Sequence, residues 1–136
     1  MNRRDLITFL GLQVFAIVWA GVVFSQIESR LIAGALAGGY FVLSAAYMLQ
    51  RALKWRDRWR STMIYPLGLH LFGISLPMIV TRFMQAQLNF EDIQIWGLPA
   101  PLFHQLSTWI FAALMAATVT DLIRLGLRDR NPKANN

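Results

Sequence analysis

A chain of 136 residues makes one domain at most. It is 56% hydrophobic and only 15% charged, against about 25% charged in an average soluble domain, so lipid must cover part of its apolar surface. It has no cysteine, which excludes disulfides, thiolate metal sites and cysteine nucleophiles; the net charge of +6 suggests nucleic acid until the positions of the charges are considered.

Four apolar stretches order the chain. The expected fold is an all-α integral membrane protein, a single antiparallel bundle of four transmembrane helices over about residues 6–27, 31–50, 62–82 and 100–124. Each stretch is long enough to cross about 30 Å of hydrocarbon as a helix. The first, Leu6 to Ile27, is interrupted by Thr8, Gln13, Ser25 and Gln26 as its polar side chains. Ahead of it, Asn2-Arg3-Arg4-Asp5-Leu6 resembles the start of a twin-arginine export signal. A signal core is about 7–15 residues long, shorter than this run, so the first helix is expected to be retained. Gln26 to Arg30 is a short turn that makes the first two helices an antiparallel hairpin.

The second stretch carries Gly34-x-x-x-Gly38 among further alanines and glycine, and the fourth carries Ala112-x-x-x-Ala116. Small residues at this spacing let helix backbones approach closely in lipid. Between the second and third stretches, Trp55 and Trp59 lie four apart amid Arg56 and Arg58. That pattern predicts contact with lipid headgroups, or alternatively docking of an acidic partner.

The third stretch is irregular. Pro66 falls near its start, but Pro77 is interior and deprives the Gly73 carbonyl of its helical donor, which predicts a kink. The loop that follows, residues 83–99, is expected to form a short interfacial helix. Asn89 would cap it, Gly97 would end it, and Phe90, Ile93 and Trp96 would share its apolar face. Apolar residues nearly alternate over 88–96, but a lone strand would leave its edges unpaired. Glu91 and Asp92 are the expected loop contacts, available as ion-pair partners for Arg82 together with Glu28. After the fourth helix, residues 128–136 are polar and expected to be disordered.

Eleven of the thirteen basic residues fall on one side of this topology with four acids, giving +7. Arg30 and Arg82 fall on the other side with three acids, giving −1. By the positive-inside rule both termini and the central loop are cytoplasmic. The basic balance then reflects topology, and no nucleic-acid partner is expected. A bacterial inner membrane is the expected location.

The candidate polar site is Arg82, His104, Gln105 and His70. The two histidines are expected roughly 10 Å apart in depth at 1.5 Å per residue, which disfavours one haem held by both. No cofactor is expected, with haem or metal through His70 or His104 a minor alternative. No catalytic residue is assigned, because no nucleophile motif, metalloprotease motif or phosphate-binding loop occurs. The leading expectation for function is a non-enzymatic accessory subunit of a larger membrane complex, with lipids and other membrane subunits or further copies of itself as partners. The alternative is a homo-oligomeric transporter or channel with an outward polar site around Pro77, Arg82 and His104. A third is a histidine-dependent redox or metal protein.

Overall fold

The computed structural model of the chain describes residues 1–130. Four helices in it are long and apolar enough to cross a membrane: α1 (Arg3–Gln26), α2 (Arg30–Leu53), α3 (Ile64–Met84) and α4 (Ala100–Arg130). Large apolar side chains such as Leu43, Phe72 and Trp109 stand on the outside of the bundle, the arrangement of a multi-pass membrane protein. The α4 helix runs through residues 128–130, so no disordered tail starts at Arg128; residues 131–136 lie outside the described residues.

The helix starts are set locally. Asn2 Oδ1 accepts from the Arg4 N–H at 3.0 Å, and Ser29 Oγ accepts from the Ile32 N–H at 3.4 Å, each covering a donor that has no partner in the first turn. The turn between α1 and α2 is short, so they pack antiparallel; α1 also packs on α4, and α3 packs on both α2 and α4.

The end of the bundle where Met1, Asp57 and Arg128 meet is the basic end. There the Met1 ammonium donates to Asp57 and holds its carboxyl below the ordinary carboxylate range. This half is solid, with Leu6, Phe9, Met48, Met63, Leu67 and Leu114 buried in one cluster. Polar groups tie it together. Asp5 accepts from Arg51 Nη2 at 2.7 Å and from Trp55 Nε1 at 2.9 Å. Gln13 Nε2 donates to Thr118 Oγ1 at 2.9 Å across α1 and α4.

Asp121, with no exposed surface, binds the start of α3: its carboxylate accepts from Ser61 Oγ (2.6 Å), Thr62 Oγ1 (2.7 Å), Thr62 N–H (3.0 Å) and Met63 N–H (3.3 Å). Arg124, one turn further along α4, stands farther off at 3.9 Å.

The central loop corrects one expectation. Trp55 is not a lipid or partner contact: it is 6% exposed, bonded to Asp5 and stacked on Phe9 with ring centroids 5.7 Å apart. The stretch is not one helix, since only Arg58–Arg60 forms a 3₁₀ turn, and the i,i+4 relation between the indoles is lost. Trp59 is 65% exposed and lies beneath the Arg58 guanidinium at 5.3 Å, while Arg56 is exposed.

The kink expected near Pro77 takes the form of a widened helix. Leu69–Ser75 is π-helical, the Leu76 N–H donates to the Leu71 carbonyl five residues back, and α-helix resumes at Leu76–Met84. A proline can follow such a run because its missing N–H falls where the hydrogen-bond pattern changes.

At the other end of the bundle, the loop differs from the interfacial helix expected from sequence. Phe90–Asp92 makes a 3₁₀ turn, then Gln94–Ile95 (β1) pairs antiparallel with Leu98–Pro99 (β2). Trp96 (φ 53°) and Gly97 (φ 79°) form its tip, and a two-residue hairpin turn of type I′ requires positive φ at both central positions. The partner strand that the sequence reading lacked is therefore supplied four residues on, through a tryptophan in a conformation that bulky residues rarely take. Ile93 and Ile95 are buried against Ala100 and Phe103, which fixes the hairpin over the start of α4.

Candidate functional site

The half of the bundle nearest the hairpin is hollow. A cavity of about 740 Å³ lies among the four helices and the hairpin, within the roughly 300–1,000 Å³ typical of small-molecule sites. Small residues on α2 create its space. Gly34, Ala35, Ala37 and Gly38 all line it. A side chain at Gly34 would meet nothing within 4 Å, and one at Gly38 would meet only the Ile79 side chain at 3.6 Å. Neither glycine brings two backbones together, which corrects the close-packing role expected of this pair. Likewise Ala112 and Ala116 are exposed rather than packed within the bundle; Leu114, Thr118 and Asp121 face inward instead.

Aromatic rings form the deep end. His70 contacts Phe41 and Phe111 with centroids 5.9 and 5.2 Å away, and the two phenylalanines meet edge-on at 5.2 Å. His70 is 2% exposed. Its Nε2 lies 3.2 Å from Ser75 Oγ, while its buried Nδ1 has no partner. The π-helical geometry makes this pair: residues five apart diverge around an α-helix, and the wider turn brings His70 and Ser75 back to one face. Both line the cavity.

Cationic and polar groups occupy the shallower wall. Arg30, Arg82, His104, Ser107 and Thr108 line it beside Phe24, Phe83 and Phe90. Arg82 Nη1 donates to the Leu88 carbonyl at 3.0 Å and Arg30 Nη1 to the Phe24 carbonyl at 3.5 Å. Among the described residues, neither guanidinium has a carboxylate within 4.0 Å. Arg82 therefore fastens the loop through a backbone carbonyl and not through the ion pair expected with Glu28, Glu91 or Asp92. His104 is exposed on α4, edge-on to Phe90 at 6.4 Å.

Of the residues singled out from sequence, the structure brings Arg82, His70 and His104 to this cavity. The expected difference in depth disfavours one haem held by both histidines; the cavity is nonetheless tall enough to reach both. Gln105 is exposed and off the wall, Glu91 and Asp92 are exposed on the loop, and Trp96 projects from the hairpin tip with 71% of its surface exposed. Pro77 acts through the helix geometry and does not line the space. Sequence reasoning missed Arg30, Ser75, Phe41 and Phe111. Arg30 had a usable signal as the second of only two basic residues at this end; Ser75 had none without the π-helical turn.

The arrangement is an apolar chamber with a hydrogen-bonding histidine at depth and two arginines free of carboxylate partners. Among the described residues, no three His, Asp or Glu side chains are grouped to hold a metal ion. Its lining suits a small molecule that is largely apolar. Comparison with protein-family models, with curated proteins and with solved structures yields no match.

Proposed function

We propose that the protein is a multi-pass membrane protein, with both termini cytoplasmic, that binds a small lipid-soluble molecule in the outward half of its bundle, as a carrier or receptor for it. The charge asymmetry supports this orientation through the positive-inside rule; in that orientation the cavity lies on the non-cytoplasmic side. The single observation that carries the reading is the 740 Å³ cavity into which both histidines and both arginines of that half are gathered. Beneath it the solid cluster of the basic end closes the path through the bundle, so a ligand enters and leaves from one side in this conformation.

The test is to extract the protein with its surrounding lipid, without detergent, and to identify bound small molecules by mass spectrometry. A near-stoichiometric species is expected with the natural chain and is lost in Gly34→Phe, which fills the cavity from a position with free space. The same species at the same level in both proteins would overturn the reading.

A second reading, an accessory subunit in a larger assembly, draws on the outward-facing Ala112 and Ala116 of α4. Small residues on a lipid-facing stripe suit close approach of another helix. Cross-linking from cysteines at these two positions in the native membrane is expected to capture a partner helix if this reading holds; lipid-only labelling counts against it.

A further inference from the structure

Building on the ligand-binding reading above, we infer that the ligand is an anionic single-chain amphiphile, its acyl chain in the apolar chamber and its headgroup held by Arg30 and Arg82. Three independent features of the cavity lead there.

The first is its composition. The depth of the chamber is lined by apolar side chains, Phe41, Ile74, Met78 and Phe111 among them, with His70 and Ser75 as polar exceptions. A chain of methylenes is favoured there in proportion to the area it removes from water or headgroups, whereas a compact polar solute would lose its hydration without replacement partners.

The second is the state of the arginines. A guanidinium offers five N–H donors, and each of these two spends a single contact on a backbone carbonyl. Three carboxylates, Glu28, Glu91 and Asp92, belong to the same end of the bundle, yet none is paired with either arginine. Arginine binds carboxylate and phosphate in bidentate fashion, and such charge-assisted bonds are the strong ones. Two guanidiniums left with free donors on the wall of an apolar chamber complement one anionic head attached to one apolar tail.

The third is the His70 Nδ1, buried without a partner in a residue that is 2% exposed. Buried polar atoms in folded proteins are rarely left without a hydrogen bond. A polar atom within the chain, such as a hydroxyl or an ester carbonyl, would satisfy the imidazole, making His70 a residue that selects among chains.

The inference is tested with the full chain in nanodiscs of phosphatidylcholine, using radiolabelled oleate as probe. Unlabelled oleate, oleyl alcohol and inorganic phosphate serve as competitors. Saturable oleate binding is expected, with oleyl alcohol about tenfold or more weaker, since one charge-assisted contact commonly decides a factor of that order. Inorganic phosphate, having no chain, is expected not to compete.

Arg30→Gln with Arg82→Gln is expected to weaken oleate at least tenfold and leave oleyl alcohol unchanged. Arg82→Lys, which retains the charge, recovers part of the loss and separates the ligand contact from the bond to Leu88. Equal binding of oleate and oleyl alcohol, indifferent to both arginines but abolished by Gly34→Phe, would overturn the anionic headgroup and leave the cavity reading standing. Oleate binding that survives Gly34→Phe unchanged would overturn both. Competition by inorganic phosphate as strong as by oleate would also overturn the inference, because it would mark the arginines as a free-anion site without a chain.

Discussion

Replacing Asp121 by alanine tests whether the start of α3 is held by a side chain from α4. The carboxylate accepts four hydrogen bonds from Ser61, Thr62 and Met63 and has no exposed surface. Two of the four donors are hydroxyls, which can rotate; Thr62 Oγ1 already lies 3.2 Å from the Ala117 carbonyl. The other two are the backbone N–H groups of Thr62 and Met63, just ahead of the first turn of α3, where no helical carbonyl precedes them. Each stranded N–H costs about 1–3 kcal/mol, so Asp121→Ala is expected to destabilise the bundle by about 2–6 kcal/mol. Asp121→Asn keeps the shape but turns an NH₂ toward one of those N–H groups, losing about half as much. Ser61→Ala removes one hydroxyl donor and is expected to cost about 1 kcal/mol or less. Reversible unfolding by dodecyl sulfate titration in mixed micelles, followed by circular dichroism, gives all three values. A midpoint for Asp121→Ala equal to that of the natural chain, or a larger loss for Ser61→Ala than for Asp121→Ala, would refute the reasoning.

Trp55→Phe is expected to lose about 1–2 kcal/mol in the same titration, since it deletes the donor to Asp5 while preserving the stack on Phe9; Trp59→Phe, at an exposed site, is expected to change nothing measurable. Gln13→Leu is expected to stay within about 1 kcal/mol of the natural chain despite its central position, because Thr118 Oγ1 keeps its bond to the Leu114 carbonyl and the unpartnered Gln13 Oε1 is removed. A loss of several kcal/mol there would show that the Gln13–Thr118 bond holds the bundle together. Trp96→Asn is expected to slow hydrogen exchange of the Ala100 N–H, which donates to Ile93 at 2.9 Å. Asparagine relieves a left-handed conformation that costs a bulky residue about 1–2 kcal/mol, and faster exchange would refute that account.

The helices were legible because their signal is collective: some twenty apolar residues in a row leave few alternatives. Single positions were harder to read. Trp55 and Trp59 occupy the same kind of basic context, and what separates them is a carboxylate on another helix, Asp5, that sequence distance hides. A strand over 88–96 is disfavoured from sequence because no partner for it is visible, and the hairpin tip is unreadable because tryptophan is a poor residue for positive φ; burial of Ile93 and Ile95 over Phe103 outweighs that cost. Gly34 and Gly38 show the deepest ambiguity. Small residues on a helix face permit either a close neighbour or an empty space, and only the neighbouring helices decide between them. Arg82, His70 and His104 are candidate site residues from sequence alone; their common cavity depends on that same undecided space.

The way the helices are bonded suggests how such a cavity is reached. The polar contacts of the basic end join α1 to α2 through Asp5 and Arg51, and α3 to α4 through Asp121. Between these two pairs, the only side-chain hydrogen bond from one spanning helix to another among the described residues, apart from contacts to sulfur, is Gln13 to Thr118. From there toward the hairpin, Tyr40 and Trp19 bond within the α1–α2 pair, at 3.3 and 3.4 Å, and His70 bonds within α3. The walls of the cavity can therefore separate without breaking a hydrogen bond between the pairs. Their separation costs only apolar contact, which acyl chains of lipid or ligand replace at nearly equal strength. Opening of the hollow half is thus inexpensive where it meets lipid, while the polar contacts below Gln13 hold the other half closed.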